Sequence, residues 1–231
     1  MRRVLSVIGV AAVFGALVQP AFGAVRVGDT FTPPSRDLPP YRACADKATF
    51  LQAEYSVPAE GVITRWYFQA NSDEPKLQPL LRFKVGRLVS GTTYSIVGES
   101  GVVKPVPASN THSGLNEYAV RIPVRAGDLV GFYTVTPGPC FRDAPGMNML
   151  GFSFKEVALG TQAESFGTYP LQVDVAASVE RDADHDGFGD ASQDQCPTNG
   201  ATHGPCKCRK HSKKHLSGAV IAKKCEKKHH R

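Results

Sequence analysis

Five aspartates crowd one short segment near the C-terminal end of the sequence. They are Asp182, Asp184, Asp186, Asp190 and Asp194. Acids at alternate positions of a tightly wound loop direct their oxygens at one point, which suits Ca²⁺, a cation that takes about six to eight oxygen ligands. Gly187 supplies the turn that the backbone of such a loop must make. Without a cation these carboxylates would repel one another. The segment therefore predicts a calcium site, with a solvated acidic linker as the alternative.

The spacing of these acids can be compared with that of an EF-hand loop. Counted from Asp182, the segment resembles that loop at positions 1, 3, 5, 6 and 9, and Phe188 offers a backbone carbonyl at position 7. Position 12 holds Gln193 in place of a bidentate glutamate, and no helical pattern flanks the segment. His185 occupies a position whose side chain should point outward, as a spacer. The EF-hand comparison therefore fails at the C-terminal end of the loop.

The series Asp-x-Asp-x-Asp-Gly-x-Gly-Asp, followed by Asp-x-Cys-Pro, fits a second family better. It resembles a thrombospondin type 3 repeat, a calcium-wrapped repeat with almost no core, and residues 182–197 contain one copy. One extra residue lies between the last two aspartates, and the cysteine that family members often carry after the Gly-Asp step is absent. The resemblance implies a disulfide for Cys196 and a set of calcium ligands. These ligands would be the side chains of Asp182, Asp184, Asp186, Asp190 and Asp194 and the carbonyl of Phe188.

The N-terminal residues have the order of a secretory signal peptide. Two arginines precede an apolar stretch at residues 4–18, and small Ala21 and Gly23 suit cleavage after Gly23. The apolar stretch is shorter than the ~20 residues that span a bilayer, which disfavours the alternative of an uncleaved anchor. The sequence therefore predicts a secreted or cell-surface-associated protein that is not transmembrane after cleavage.

Six cysteines all lie beyond the predicted cleavage site, and an even number in an exported chain favours disulfides over reactive thiols. Their distribution suggests that Cys44 pairs with Cys140. The pairing of the other four stays open. They are Cys196, Cys206, Cys208 and Cys225.

Alternation of apolar and polar residues predicts half-buried strands in the middle of the chain. Val62, Trp66 and Phe68 share one face of a first strand, so Trp66 is expected in the core. A second strand alternates Leu81, Phe83 and Val85 with Arg82 and Lys84. A third alternates Tyr118, Val120, Ile122 and Val124 with residues that include Arg121 and Pro123. Further strands are predicted at residues 50–57, 93–97, 128–135, 150–154 and 171–175. The short turn at residues 125–127 predicts a hairpin between the strands on either side.

Many short strands, frequent glycine and proline, and no helical periodicity before residue 205 predict an all-β fold. The expected architecture is an antiparallel β-sandwich, jelly-roll-like, followed by a calcium-loop linker and a basic, cysteine-containing tail. The predicted order is a signal peptide at 1–23, an extended lead-in at 24–40, the sandwich at 41–179, the calcium loop at 180–197 and the tail at 198–231.

Charge is segregated along the chain, whose formal net charge is +6. Residues 203–231 hold ten Lys and Arg against the single acid Glu226, whereas the body is acidic. Clustered basic side chains attract polyanions through a sequence-independent term. We therefore expect anionic cell-surface polymers as partners of the tail, and no specific nucleic acid. A merely solubilising tail is the alternative.

The sequence carries no recognisable catalytic motif, so we expect no enzyme. His112 is the one histidine outside the loop and the tail, and no Gly-x-Ser-x-Gly accompanies it. An acid pair such as Glu54 with Glu99 could cleave glycosides, and a secreted hydrolase is therefore a less favoured alternative. The favoured function is a secreted calcium-binding protein with an adhesion or surface-interaction role, in which Ca²⁺ stiffens the connector. The alternative is a carbohydrate-binding sandwich, and the β domain would then bind a glycan or a protein.

Overall fold

The computed structural model describes residues 23–34, 43–44, 47–152 and 155–206. Residues 1–22 of the predicted signal peptide and residues 207–231 of the predicted tail, with Cys208 and Cys225, lie outside these ranges. The described chain is all-β, and its antiparallel strands form a curled, sandwich-like fold. No α-helix occurs in those ranges, and no helix there has the length and apolarity needed to cross a membrane. The predicted fold class is confirmed.

Fifteen strands lie in the described ranges, and one 3₁₀ helix at Pro75–Leu77 precedes β5. Their bounds are β1 Val25–Asp29, β2 Ala43–Cys44, β3 Ala48–Ser56, β4 Gly61–Gln69, β5 Leu81–Ser90, β6 Thr93–Glu99, β7 Leu115–Val124, β8 Leu129–Thr134, β9 Gly138–Pro139, β10 Phe141–Asp143, β11 Met149–Gly151, β12 Gln162–Glu164, β13 Gly167–Tyr169, β14 Leu171–Val173 and β15 Val175–Glu180.

One main sheet contains four strands in the order β1-β15-β4-β7. β1 is an edge strand of this sheet, in which Val25 pairs with Val179. Val27 of the same strand is buried in the core. The first part of the predicted lead-in therefore belongs to the sandwich, and the proline pairs that dominate the lead-in follow this strand without interrupting it.

The other main sheet contains seven strands in the order β12-β6-β5-β8-β3-β11-β13. β12 pairs with β6 at one edge and β13 pairs with β11 at the other, although the two edge strands are close neighbours in the chain. Because one short segment meets both edges, the sheet curls. A separate apolar cluster with Leu51, Ile96 and Phe152 forms on the face away from the main core.

The main core lies between the two sheets and contains Trp66, which is fully buried. The Trp66 ring stacks on Phe83 of the opposite sheet at 5.4 Å between centroids and lies 4.5 Å from Tyr118. The prediction that Trp66 is a core residue is confirmed. Trp66 therefore joins the two layers, and its ring has no exposed face on which a ligand could stack.

β4 departs from strict alternation. The prediction places Val62 on the core face with Trp66 and Phe68, but Ile63 occupies the main core cluster instead. The cause is a shift in strand register between residues 63 and 65, which a bulge produces by inserting one extra residue. Sequence alternation cannot locate such a bulge, because the pairing of neighbouring strands creates it.

The predicted hairpin between β7 and β8 is wrong. β7 pairs with β4 in the four-stranded sheet, whereas β8 pairs with β3 and β5 in the seven-stranded sheet. The turn between them therefore carries the chain from one sheet to the other. Gly127, with φ at 86°, donates its N–H to the carbonyl of Val57 at 2.9 Å, which directs the chain towards β3.

A disulfide joins Cys44 to Cys140, as predicted, across a sequence separation of 96 residues. Both cysteines are fully buried within the main core cluster. The neighbouring short pair β2 and β9 aligns Cys44 with Gly138. The bond therefore ties the described part of the N-terminal segment to the region after β8.

Lys84 also departs from the predicted pattern, since it lies on the polar face of β5 but is fully buried. Its Nζ contacts Glu99 at 2.5 Å and Glu156 at 2.7 Å, and Arg82 bridges the same two carboxylates. Nζ also donates to the carbonyl of Val157 at 3.1 Å, so the segment after β11 covers this face. A buried ammonium group is tolerated when it is paired in this way.

Candidate calcium site

The aspartate loop begins directly after β15 and brings three of the predicted ligands together. One carboxylate oxygen each from Asp182, Asp184 and Asp186 lies within 4.8 Å of the other two. These are hard oxygen donors without sulfur or nitrogen, the donor type that Ca²⁺ prefers. Their residue types and mutual distances therefore fit a calcium ion.

The backbone of the loop winds around the first aspartate. Asp182 accepts hydrogen bonds from the N–H of Asp186 at 3.1 Å and of Gly187 at 2.9 Å. Asp186 in turn accepts the N–H of Phe188 at 2.9 Å. Gly187 has φ at 83°, and His185 has φ at 59° with an exposed side chain, in agreement with its expected role as a spacer. A left-handed backbone suits glycine and is uncommon for histidine, so the close winding depends on tertiary contacts.

Asp190 closes the loop from its other end. Its carboxylate accepts the N–H of Ala183 at 3.1 Å, and its own N–H donates to the carbonyl of Arg181 at 2.8 Å. Burial raises the pKa of Asp190, and the charges of Asp182 and Asp184 raise it further, against the lowering effect of the Ala183 hydrogen bond. The carboxylate thus lies within electrostatic reach of two predicted ligands.

Two predicted ligands have buried oxygens without a hydrogen-bond donor. Both carboxylate oxygens of Asp184 are inaccessible to solvent and have no partner. Asp194 is 6% exposed; one of its oxygens accepts the N–H of Cys196 at 2.7 Å, and the other has no partner. Leaving a charged oxygen buried without a partner is costly. A cation would satisfy the oxygens of Asp184.

Glu180, the last residue of β15, holds the loop to the sheet, a role that sequence reasoning missed. Its carboxylate accepts hydrogen bonds from the hydroxyls of Thr64 at 2.9 Å and Ser192 at 2.7 Å, and from the N–H groups of Ala191 at 3.0 Å and Ser192 at 2.8 Å. Burial acts to raise the pKa of Glu180, but these four hydrogen bonds outweigh it and lower the pKa. No motif marks this glutamate, because its partners come from a distant strand and from the far end of the loop.

Gly189 allows the backbone of the loop to lie close to Glu180 and Thr64. A Cβ atom at this position would lie 2.6 Å from Oε2 of Glu180 and 2.6 Å from the methyl of Thr64.

Gln193, at the position where an EF-hand carries its last ligand, donates to the carbonyl of Val120 on β7 at 2.9 Å. The side chain that breaks the EF-hand pattern is therefore used to dock the loop on the sandwich.

The ring of Phe188 makes a third docking contact, in addition to the carbonyl ligand predicted for this residue. It stacks on the imidazole of His203, with centroids 4.2 Å apart and planes 13° apart. The guanidinium of Arg121, on β7, lies 4.1 Å from the same ring. Phe188 thus links the loop to both the sandwich and the segment that follows.

A second disulfide pairs Cys196 with Cys206 across a separation of 10 residues. The cysteine count alone left this partner open. The N–H of Gln195 donates to the carbonyl of His203 at 3.0 Å, so the closed segment folds back on the loop. The described start of the predicted tail is therefore part of the loop structure.

A cleft of about 380 Å³ separates the loop from the ends of the sheets. Asp182, His185 and Asp186 line it from the loop, and Arg87 and Arg125 line it from the sheets. The predicted calcium ligands therefore form one wall of a cleft whose other wall carries arginines.

The side chains considered for catalysis each have structural partners of their own. His112 accepts the N–H of Gly114 on its Nδ1 at 3.0 Å. Glu54 bonds Gln52 and Asn148, whereas Glu99 belongs to the ion cluster around Lys84.

Comparison of the chain with protein-family models, with curated proteins and with solved structures finds no match in any of the three. The candidate site therefore rests on the residues and contacts described above.

Proposed function

We propose that this protein is a secreted or surface-associated calcium-binding protein without enzymatic activity, and that residues 182–194 bind one Ca²⁺. The observation that carries the proposal is the convergence of Asp182, Asp184 and Asp186 within 4.8 Å, with both oxygens of Asp184 buried and unpartnered. Such a cluster is costly when empty and favourable around a divalent cation.

The ligands we assign are the side chains of the converging aspartates and of Asp190 and Asp194, with the backbone carbonyl of Phe188. Asp190 is included because its carboxylate accepts the N–H of Ala183, which lies between Asp182 and Asp184 in the chain. Asp194 is included because its second oxygen is buried and unpartnered. This set is all oxygen, and sites of extracellular modules bind Ca²⁺ with dissociation constants on the order of 0.1 to 1 mM.

Calcium would fasten the C-terminal segment to the sandwich. The loop is already docked through Glu180, Gln193 and Phe188, so Ca²⁺ adds to these contacts and removes the repulsion among the aspartates. The disulfides at Cys44–Cys140 and Cys196–Cys206 suit an oxidising, extracellular setting. The basic residues that follow position 206 in the sequence carry the charge to attract anionic surface polymers, which supports a surface-interaction role.

Calorimetric titration of the purified protein with Ca²⁺ tests this proposal. The wild type should bind about one equivalent at millimolar calcium, and an Asp184→Ala/Asp186→Ala variant should not. The matched control is Glu74→Ala/Glu117→Ala, which removes two surface carboxylates that are 66% and 50% exposed. Equal heats for the wild type and the loop variant would refute the assignment. Limited proteolysis near residue 190 should slow with calcium and accelerate with chelator.

A further inference from the structure

The cleft beside the aspartate loop has features of a ligand site that calcium binding alone does not use. Its volume of about 380 Å³ is in the range of small-molecule pockets. Val97 and Pro123 supply an apolar surface, and charged side chains from the loop and the sheets surround it. This combination suits a ligand that has both a charged group and a face of C–H bonds.

Two arginines line the sheet side of the cleft, and they differ in whether a carboxylate is already paired with the guanidinium. Arg87 is held by bidentate ion pairing with Asp128, at 2.7 and 2.8 Å, and Asp128 is 1% exposed. Asp128 also accepts the backbone N–H of Arg125 at 2.8 Å, which orders the turn that carries Arg125. The guanidinium of Arg125 is exposed and has no partner among the described residues. It is therefore the group in this cleft that can accept a new anion.

Carboxylates in the lining of the cleft make anion binding depend on whether the loop holds a cation. Glu60, Asp182 and Asp186 line the cleft, and because Arg87 is paired with Asp128, the guanidinium of Arg125 alone balances these three carboxylates. Without a cation this excess of negative charge repels an anionic ligand. A divalent cation on the aspartates lowers the negative charge beside the cleft by two, so Arg125 attracts a carboxylate more strongly when the cation is bound.

We propose that this cleft binds a carboxylate-bearing sugar, a hexuronate unit of an acidic polysaccharide, in a calcium-dependent manner. The carboxylate pairs with Arg125, and a sugar ring packs its C–H face on Pro123 and Val97. This inference rests on the proposed function, because calcium at the aspartates is what makes the cleft receptive.

The test is calorimetric titration of digalacturonate into the purified protein at a calcium concentration that saturates the loop, with the heat of the same titration into calcium buffer subtracted. Binding should be saturable, and about tenfold or more weaker with chelator. The neutral disaccharide digalactose should not bind. Arg125→Gln should weaken digalacturonate about tenfold or more and still bind about one equivalent of calcium, which also shows that this variant is folded. Lys104→Gln, which removes an exposed positive charge outside the cleft, should bind both as the wild type does.

The results separate this inference from the proposed function. Calcium binding without digalacturonate binding overturns the inference and leaves the calcium site standing, whereas absence of calcium binding overturns the proposed function. Equal digalacturonate affinity with calcium and with chelator overturns the dependence on calcium. Binding of N-acetylaspartate amide in place of digalacturonate would assign the cleft to an acidic peptide and overturn the sugar.

Discussion

The carboxylate of Glu180 accepts both the backbone N–H and the hydroxyl of Ser192, at 2.8 and 2.7 Å. Glu180 ends the last strand of the sandwich, and Ser192 lies near the end of the aspartate loop. This pair closes the loop at its base and explains how a segment with almost no apolar core keeps a defined position. It also ties the geometry of the predicted calcium ligands to the folding of the four-stranded sheet.

The pH dependence of this contact follows from its hydrogen bonds. They hold the pKa of Glu180 below its ordinary value of 4.5, although burial acts in the opposite direction. A depressed folded-state pKa stabilises the fold while the group is charged, so this contribution is present above pH ~4.5 and is lost as the pH falls through the folded-state pKa. The amide proton shift of Ser192 should titrate with a midpoint below 4.5 by NMR. In Glu180→Gln this titration should disappear, and a midpoint above 4.5 would contradict the assignment.

Replacing Asp184 by asparagine should change stability in opposite directions with and without calcium. In chelator the free energy of unfolding of the variant should exceed that of the wild type by about 1 kcal/mol, because a buried, unpartnered charge is removed. With calcium at about 100 times its dissociation constant, the free energy of unfolding of the wild type should rise by about 2.7 kcal/mol, and that of the variant should rise by almost nothing.

Thermal unfolding followed by circular dichroism measures both effects of Asp184→Asn. Glu117→Gln, at a half-exposed ion pair with Arg65, is the control and should shift stability by less than about 0.5 kcal/mol in either condition. A destabilised Asp184→Asn in chelator would show that the aspartate has a structural partner.

Gly189→Ala should loosen the loop, because its Cβ would meet Glu180 and Thr64 at 2.6 Å. Displacing the loop from the sheet should weaken calcium binding about tenfold, measured by calorimetry. Gly101→Ala is the matched control, since a Cβ there meets nothing within 4 Å. Unchanged calcium affinity in Gly189→Ala would show that docking and metal binding are independent.

Removing the two described disulfides should have different consequences. Cys44 and Cys140 close 96 residues of the core, so replacing both by serine should lower the free energy of unfolding of the whole sandwich by up to about 4.7 kcal/mol. Cys196 and Cys206 close only 10 residues outside the core. Their replacement should leave the main unfolding transition in place and increase proteolysis between residues 197 and 205.

Calorimetry, with cleavage sites mapped by mass spectrometry, distinguishes the two disulfide variants. Equal losses of melting temperature would indicate that the segment after the loop unfolds together with the sandwich. Early cleavage confined to residues 197–205 is the expected outcome for the second variant.

Several features could be read from the sequence because they depend on local periodicity. The alternation of apolar residues identified the main strands and placed Trp66 in the core, since every second side chain of a strand meets the same face. The closeness of Asp182, Asp184 and Asp186 follows in the same way from short spacing and a turn at Gly187. The expectations for the signal peptide and the basic tail remain predictions, since residues 1–22 and 207–231 lie outside the described chain.

Other features depend on contacts between distant segments, which only the tertiary structure decides. The bulge after Ile63 arises from strand pairing, and the turn before β8 crosses between sheets because its hydrogen bonds reach Val57 on the other layer. Lys84 is buried because the segment after β11 covers it, and Glu180 anchors the loop because Thr64 and Ser192 meet there. The local sequence pattern indicates which face of a strand a residue prefers. The partner on that face comes from elsewhere in the chain, and this partner determines burial, charge pairing and the shape of the site.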